Sequence, residues 1–167
     1  MQPRTVPSRL EYYMGLAFWI ASKSKDPNTQ CGAIIVDSSN RPRGWGYNGP
    51  PEQISDSSIN WSRPFKHRFI IHAEANAIRH ASGDLKGSTI YVTGPPCSKC
   101  MLDISTAYIS KIIYYPFKSD PDSMLSDGED WEEASEIARL SNIKIKQFNG
   151  DLTWMESQIK EIMRNIK

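Results

Sequence analysis

The sequence predicts a three-layer α/β domain built on a five-stranded mixed sheet with helices on both faces. Strand-like and helix-like segments alternate along the chain after an opening hairpin. Segments rich in β-branched and aromatic residues place the strands at residues 31–37, 42–47, 89–93, 111–115 and 143–148. Apolar residues at helical spacing place the helices at residues 9–24, 72–82, 97–108, 131–140 and 152–166. A chain of 167 residues is expected to form a single domain over residues 1–167.

The first helix is predicted from its N-terminal cap. Ser8 precedes the helix and Glu11 follows three residues later, so each side chain can pair with the backbone amide of the other in a capping box. Turn residues at 38–40 then separate the first two strands. We expect these two strands to pair as a hairpin.

The second and third helices each begin with a residue type that binds metals. His72 is placed in the first turn of the second helix, which Gly83 ends. Pro95 and Pro96 mark the start of the third helix, so Cys97 is placed in its first turn. Free amides and the helix dipole stabilise anions at a helix N-terminus, so both segments lie where a thiolate or a carboxylate is favoured.

Two segments have more than one interpretation. About twenty residues without a clear period precede residue 70, and a loop of that length favours a substrate lid or an assembly contact. Trp61 and Phe65 either pack this loop onto the domain or stack on a base. Its basic residues either meet a phosphate or form a solvated stretch: Arg63, Lys66, His67 and Arg68. The apolar stripe of the last helix either covers the chain's own sheet or meets another subunit.

Composition favours a small-molecule ligand and a reducing compartment. Lys and Arg number 20 against 19 Asp and Glu, without a basic block of the kind that grips nucleic acid, so no nucleic-acid partner is expected. Three cysteines offer no disulfide framework, which is typical of a cytoplasmic protein. The first residues lack a signal-peptide core and the apolar run at residues 14–21 is too short to cross a bilayer, so no membrane partner is expected.

Two short motifs carry the candidate chemistry: His72-Ala73-Glu74 and Pro96-Cys97-Ser98-Lys99-Cys100. Cys97 and Cys100 are three residues apart on one face of a helical turn, and the His72 imidazole makes a third metal ligand. Three is the number of protein ligands that a catalytic zinc takes when it keeps a fourth position for water. Glu74 lies two residues beyond His72 and points elsewhere than the imidazole, so it is placed to move a proton rather than to bind the metal.

Each motif alone is a weak signal. A Cys-x-x-Cys pair can be a redox pair or half of a structural zinc site. A closed site with Cys31 as the fourth ligand would hold a loop and do no chemistry. Cys31 opens an apolar strand, however, where a lone cysteine most often behaves as a small buried hydrophobe. Taken together and in this order, H-x-E and P-C-x-x-C match the signature of zinc deaminases, in which the glutamate is the general acid and base.

Further segments resemble the deoxycytidylate (dCMP) deaminases, a branch of the cytidine deaminase superfamily. They are Ser24-Lys25-Asp26-Pro27-Asn28-Thr29-Gln30, Gly46-Tyr47-Asn48-Gly49, and Leu85-Lys86-Gly87 before Tyr91-Val92-Thr93, within a resemblance that spans residues 10–148. The resemblance implies a cytidine-deaminase-like fold, a catalytic Zn²⁺ and hydrolysis of dCMP to dUMP and ammonia, which supplies dUMP for thymidylate synthesis. It also implies homo-hexamers, with dCTP and Mg²⁺ as activator and dTTP as inhibitor.

The resemblance assigns roles to residues beyond the two zinc motifs. Asn48 is expected to hold the sugar hydroxyl of a nucleotide substrate, and the Ala73 amide to donate to O2 of the base. Lys118 is expected to contact the substrate phosphate. The implied regulatory site comprises Ser24, Lys25, Asp26, Gly46, Tyr47 and Asn48.

The sequence is also compatible with related functions. The chain departs from the family pattern at Cys31, where valine is common, at Gly94 and Pro95, and in a longer loop after Tyr115. An enzyme that also accepts dCTP, or a deaminase of free cytidine or of tRNA adenosine, would share the zinc motifs. A catalytically inactive, zinc-organised nucleotide-binding module would have no need of Glu74.

Overall fold

The computed structural model describes residues 2–116 and 128–165. Its strands are β1 Gly32–Val36, β2 Pro42–Tyr47, β3 Thr89–Val92, β4 Lys111–Tyr114 and β5 Lys144–Gln147. Its helices are α1 Arg9–Ala21, α2 Ala73–Arg79, α3 Ser98–Thr106, α4 Gly128–Leu140 and α5 Trp154–Asn165. These strands form one mixed sheet in the order β2-β1-β3-β4-β5, so the predicted fold class is confirmed.

The sheet combines antiparallel and parallel pairing. β1 pairs antiparallel with β2, as the predicted hairpin requires, and antiparallel with β3, whereas β3, β4 and β5 run parallel. Parallel neighbours need crossover connections, which α3 and α4 provide. Gly32 lies opposite Tyr47, and Ala33 lies opposite Val92. The segments that follow β2 and β3 therefore start at the same edge of the sheet as the segment that leads into β1.

Two apolar clusters lie on opposite faces of the sheet. Successive strand residues point to opposite faces, so Ile34 and Ile35 enter different clusters. The cluster around Ile34 includes the α1 residues Tyr13, Met14 and Ala17. The cluster around Ile35 includes residues from the three helices of the other face: Ala73, Ala77, Met101, Ile104, Ala134 and Ala138. This arrangement gives the three predicted layers.

The last helix leaves its apolar stripe exposed. No residue of α5 is buried, and Ile159, Ile162 and Met163 are 42%, 44% and 70% exposed. The first turn of α5 packs on α1, where Met155 and Trp154 approach Gly15. The stripe therefore does not cover the chain's own sheet, and its contact with another subunit stays a prediction. Within the described ranges, no helix has the length and apolar character of a membrane span.

Several predicted boundaries shift. The capping box of Ser8 and Glu11 is confirmed, but α1 ends at Ala21 because the next residues form tighter turns, with Lys23 N–H donating to Ile20 C=O at 3.0 Å. His72 and Cys97 precede their helices as extended N-cap residues and do not lie in the first turns. The long loop contains two short 3₁₀ turns, Asp56–Ser58 and Phe65–Arg68, which lack an apolar period that a sequence pattern could reveal.

Gly46 allows α2 to approach β2 closely. A Cβ atom at Gly46 would lie 2.6 Å from the carbonyl oxygen of Ala73, closer than real Cβ atoms come. We expect Gly46→Ala to lower the free energy of unfolding by about 1–3 kcal/mol because α2 must move away from the strand. Gly49→Ala is the matched control, since its Cβ would meet the Tyr47 ring at an ordinary 3.7 Å. Urea melts in which Gly46→Ala is as stable as Gly49→Ala would contradict this packing role.

Candidate metal centre and active site

The starts of α2 and α3 bring the two sequence motifs together. The carbonyl of His72 accepts the amide of Asn76 at 3.1 Å, and the carbonyl of Cys97 accepts the amide of Met101 at 2.9 Å. Each metal-binding residue is thus the point from which its helix begins. Cys100 follows in the first turn of α3, so the two thiols lie on one side of the helix start.

Three donor atoms converge at this point. Nδ1 of His72 lies 3.4 Å from Sγ of Cys97 and 3.3 Å from Sγ of Cys100. The three possible ligand atoms all lie within 4.8 Å of one another. Tetrahedral zinc with usual Zn–S and Zn–N bond lengths would separate such nitrogen and sulfur atoms by about 3.6 Å. The donor set therefore fits a zinc ion, which His72, Cys97 and Cys100 would hold.

Hydrogen bonds already favour an anionic sulfur in this group. A hydrogen bond with Cys100 lowers the pKa of Cys97 to about 4, and the same hydrogen bond raises the pKa of Cys100. The hydrogen bond between Cys97 and His72 raises the pKa of the imidazole to about 9. A thiolate is the form in which cysteine binds a metal, so the lowered pKa of Cys97 suits a divalent cation.

Glu74 lies beside the donor atoms as a buried acid. The residue is 5% exposed, and burial raises the pKa of its carboxyl group. It follows the N-cap His72 on α2, and its carboxylate is not among the clustered ligand atoms. A carboxyl group with a raised pKa holds a proton more readily than a free one, so Glu74 is suited to proton transfer beside a metal site.

Cys31 is a protonated thiol beside the site. Burial raises its pKa to about 12, although a hydrogen bond with Thr93 lowers the pKa somewhat. Cys31 packs against the apolar cluster beside α2, and its sulfur is not part of the His72, Cys97 and Cys100 group. The structure therefore agrees with the interpretation of Cys31 as a small hydrophobe.

The side chain of Asn48 has a fixed orientation. Its Oδ1 accepts the backbone N–H of Cys31 at 2.7 Å, and its Nδ2 donates to the backbone C=O of Thr29 at 2.9 Å. Because one backbone partner can only donate and the other can only accept, the amide cannot be flipped. Among the residues that the structure describes, Nδ2 donates to Thr29 alone, so its second hydrogen can be donated to a ligand.

A cavity of about 390 Å³ opens beside the metal-ligand group. Glu74, Asn48 and Ala73 line it together with His72 and Cys97. Ala73 is the first residue of α2, where a backbone amide has no partner within the helix. Basic side chains also line the cavity: Arg63, Lys66, His67 and Lys99. A cavity of this size suits a small molecule. Burial lowers the pKa of His67, and Lys66 is paired with Asp26, so positive charge on the lining comes from Arg63 and Lys99.

Three of the implied regulatory residues, consecutive in the chain, lie in different environments. Ser24 donates its hydroxyl to the backbone C=O of Asn48 at 2.8 Å. Lys25 is exposed and pairs with Asp56 of the long loop. The carboxylate of Asp26 is buried, with 3% of its side chain exposed. Of these three side chains, that of Lys25 is open to solvent.

The remaining residues that the family resemblance implied are Gly46, Tyr47 and Lys118. Gly46 faces the backbone of α2, as described above, and the backbone C=O of Tyr47 accepts from Nδ2 of Asn76 at 2.8 Å. Lys118, the predicted phosphate contact, lies outside the described residues.

Sequence reasoning missed two polar contacts around the site. Lys66 was expected at a phosphate or in solvent, but its ammonium group is buried against Asp26. Asp130, just before the fourth helix as predicted at residues 131–140, lies in α4 and accepts the backbone N–H of Ser98 at 3.1 Å, at the start of α3. Both contacts join residues that are far apart in sequence, so no local pattern could reveal them.

The fold and the site define a class of protein, an α/β domain that holds a His–Cys–Cys site suited to zinc beside a buried acid. The family model of the cytidine and deoxycytidylate deaminase zinc-binding region matches residues 7–116. This chain belongs to the cytidine and deoxycytidylate deaminase family.

Similar proteins of known name agree with this assignment, and a solved structure agrees with the fold. The deoxycytidylate deaminase of Pongo abelii is 43% identical over 111 residues, which are 62% of this chain and 62% of the relative. The deoxycytidylate deaminase of Mus musculus is 37% identical over 145 residues, which are 83% of this chain and 78% of the relative. The crystal structure of dCMP deaminase from cyanophage S-TIM5 has a TM-score of 0.65 at 21% identity, covering 86% of this chain and 100% of the phage chain. A second structure of that enzyme contains dCMP and dUMP.

Proposed function

We propose that this chain catalyses the zinc-dependent hydrolytic deamination of dCMP to dUMP and ammonia. The observation that carries the proposal is the convergence of the donor atoms of His72, Cys97 and Cys100 beside the buried carboxyl group of Glu74. The names of the mammalian relatives support the choice of dCMP as substrate, and so does the phage complex with dCMP and dUMP.

Glu74 moves the protons of this reaction. His72, Cys97 and Cys100 would hold a zinc ion, which would supply the attacking water and lower its pKa towards about 7. The Glu74 carboxylate takes a proton from this water and delivers it to N3 of the cytosine ring while the oxygen attacks C4. A second proton then passes through Glu74 to the amine on C4, which leaves as ammonia. Burial raises the pKa of Glu74, so its carboxyl group can hold a proton between the two transfers.

Asn48, Ala73 and Lys118 hold the nucleotide in this proposal. The free N–H of Asn48 donates to a sugar hydroxyl, which is supported by the orientation that its two backbone partners impose. The Ala73 amide, at the start of α2, donates to O2 of the base. Lys118 contacts the phosphate.

Regulation and assembly complete the proposal. dCTP with Mg²⁺ activates and dTTP inhibits at a site formed by Ser24, Lys25, Asp26, Gly46, Tyr47 and Asn48. The contact from the Ser24 hydroxyl to the Asn48 carbonyl supports a link between this segment and the substrate site. The chain acts as one domain in a homo-hexamer in the cytoplasm, where its three free cysteines stay reduced.

Ammonia release tests the substrate. Purified protein with one zinc per chain is incubated with dCMP, dCTP, dCDP or deoxycytidine, each with and without dTTP. We expect dCMP to be deaminated fastest and dTTP to slow the reaction. Faster turnover of dCTP would change the assigned substrate, and no ammonia from any of the four would contradict the proposed function.

A further inference from the structure

A buried ion pair joins the long loop to the segment before β1. Lys66 of the Phe65–Arg68 turn and Asp26 pair through Nζ and Oδ1, and each side chain is only 3% exposed. Nζ of Lys66 also donates to Oδ1 of Asn28 at 2.8 Å. Lysine is almost never fully buried unless it is paired, and a charge left alone at such a site is strongly destabilising. The pair therefore fixes the two segments to each other.

Asp26 also binds the backbone of the residues that follow it. Its Oδ1 accepts the amides of Asn28 at 2.9 Å and Thr29 at 3.1 Å. Burial alone would raise the pKa of Asp26, but the hydrogen bonds from Lys66 and the two amides outweigh it and lower the pKa. The carboxylate is therefore ionised near neutral pH and organises the turn at residues 26–29.

The turn at residues 26–29 also sets the position of Asn48. The C=O of Thr29 accepts from Nδ2 of Asn48, and the N–H of Cys31 donates to Oδ1 of Asn48. Arg63, from the same loop as Lys66, donates to Oγ1 of Thr29 at 2.9 Å. Arg63 thus contacts Thr29, one of the two residues that hold the Asn48 amide, and Lys66 is linked to Thr29 through Asp26.

We propose that Lys66 is a positioning residue for substrate binding, which acts through Asp26 and the 26–31 segment to aim the Asn48 side chain into the cavity. Lys66 lines the cavity, but its ammonium group is engaged by Asp26 and Asn28. The inference rests on the proposed function, because it takes Asn48 to be a contact of the nucleotide. It assigns the long loop a role in holding the substrate contact rather than only in covering the site.

Kinetics with paired variants test this route. In Lys66→Met we expect KM for dCMP to rise about tenfold while kcat changes little, since a displaced contact weakens binding. If Lys66 acts through Asn48, Lys66→Met combined with Asn48→Ala should have the KM of Asn48→Ala alone, within about twofold. KM effects that multiply in the combined variant, or an unchanged KM in Lys66→Met, would overturn the proposal. Lys160→Met, which breaks an exposed pair with Glu156, is the control and should keep the wild-type KM.

A second variant separates positioning from folding. Lys66→Met alone leaves the Asp26 carboxylate buried without its cation, whereas Asp26→Asn with Lys66→Met removes both charges and keeps an oxygen for the amides of Asn28 and Thr29. We expect the double variant to regain thermal stability and to keep the raised KM. Stability and KM that return to wild-type values together would show a role in folding alone and would overturn the proposal.

A readout without substrate keeps this inference separate from the proposed function. In ¹⁵N-labelled protein the Asn48 side-chain amide signal and the hydrogen-exchange rate of the Cys31 amide, which donates to Asn48, should both change in the double variant and not in Lys160→Met. Unchanged Asn48 and Cys31 signals would overturn the role of Lys66 whatever the substrate is. If the wild-type protein releases no ammonia from dCMP, the proposed function is refuted. The NMR spectra would still test whether Lys66 positions Asn48.

Discussion

Glu74→Gln is expected to keep its zinc and its fold and to lose nearly all turnover of dCMP. Glutamine preserves the size and polarity of the buried side chain but cannot take up a proton, so the transfers from water to N3 and then to the amine lack a carrier. One positioned acid–base group contributes about 10²–10⁴-fold to a rate, and kcat should fall by a factor in that range. Ammonia release gives kcat, while elemental analysis and a thermal melt report zinc content and folding.

The matched control for this change is Glu156→Gln. Glu156 is on α5, its side chain is 78% exposed, and it pairs with Lys160 at the surface, so the same substitution there should leave kcat unchanged. Turnover of Glu74→Gln within a few-fold of wild type, with full zinc content, would refute the role of Glu74. Loss of zinc in Glu74→Gln would instead place this carboxylate among the groups that hold the metal.

The parts of the site that local sequence determines could be predicted well. The spacing of His72 and Glu74 on one helix start, and of Cys97 and Cys100 on another, decides which side chains share a side of the turn. The alternation of strands and helices then places both helix starts against one sheet. The sequence places His72 and Cys97 in the first turns of their helices, whereas both are N-cap residues. A difference of one residue at a helix start depends on which backbone hydrogen bonds form, and residue types alone do not determine this.

The parts that depend on distant partners could not be predicted. Lys66 reads as a solvated or phosphate-binding cation because nothing near it in sequence is its partner, and Asp26 lies forty residues earlier. The exposure of Met163 on α5 could not be predicted for the same reason. An apolar stripe indicates that a helix face packs against another surface but does not identify that surface. In both cases the sequence shows the residue type, whereas the partner of the side chain depends on the tertiary structure.

Cys97→Ala is expected to lose zinc and much of the thermal stability of the protein. The change leaves the metal two protein donors, His72 and Cys100. A metal that binds the folded state alone stabilises it by about 4 kcal/mol at a thousandfold excess over its dissociation constant. For a chain of this size that loss lowers Tm by about 8–16 °C. Cys97 makes no side-chain hydrogen bond to the start of α3, so loss of a helix cap would not explain such a change.

Cys31→Ala controls for removing a thiol beside the same cavity. Cys31 lies outside the clustered ligand atoms, so this variant should keep one zinc per chain and show at most the small loss of stability that a buried cavity causes. A chelator should lower Tm of the wild type and of Cys31→Ala to a similar extent and leave Tm of Cys97→Ala unchanged, because that variant has no zinc to remove. Full zinc content in Cys97→Ala, or zinc lost from Cys31→Ala, would mean that a different set of residues holds the metal.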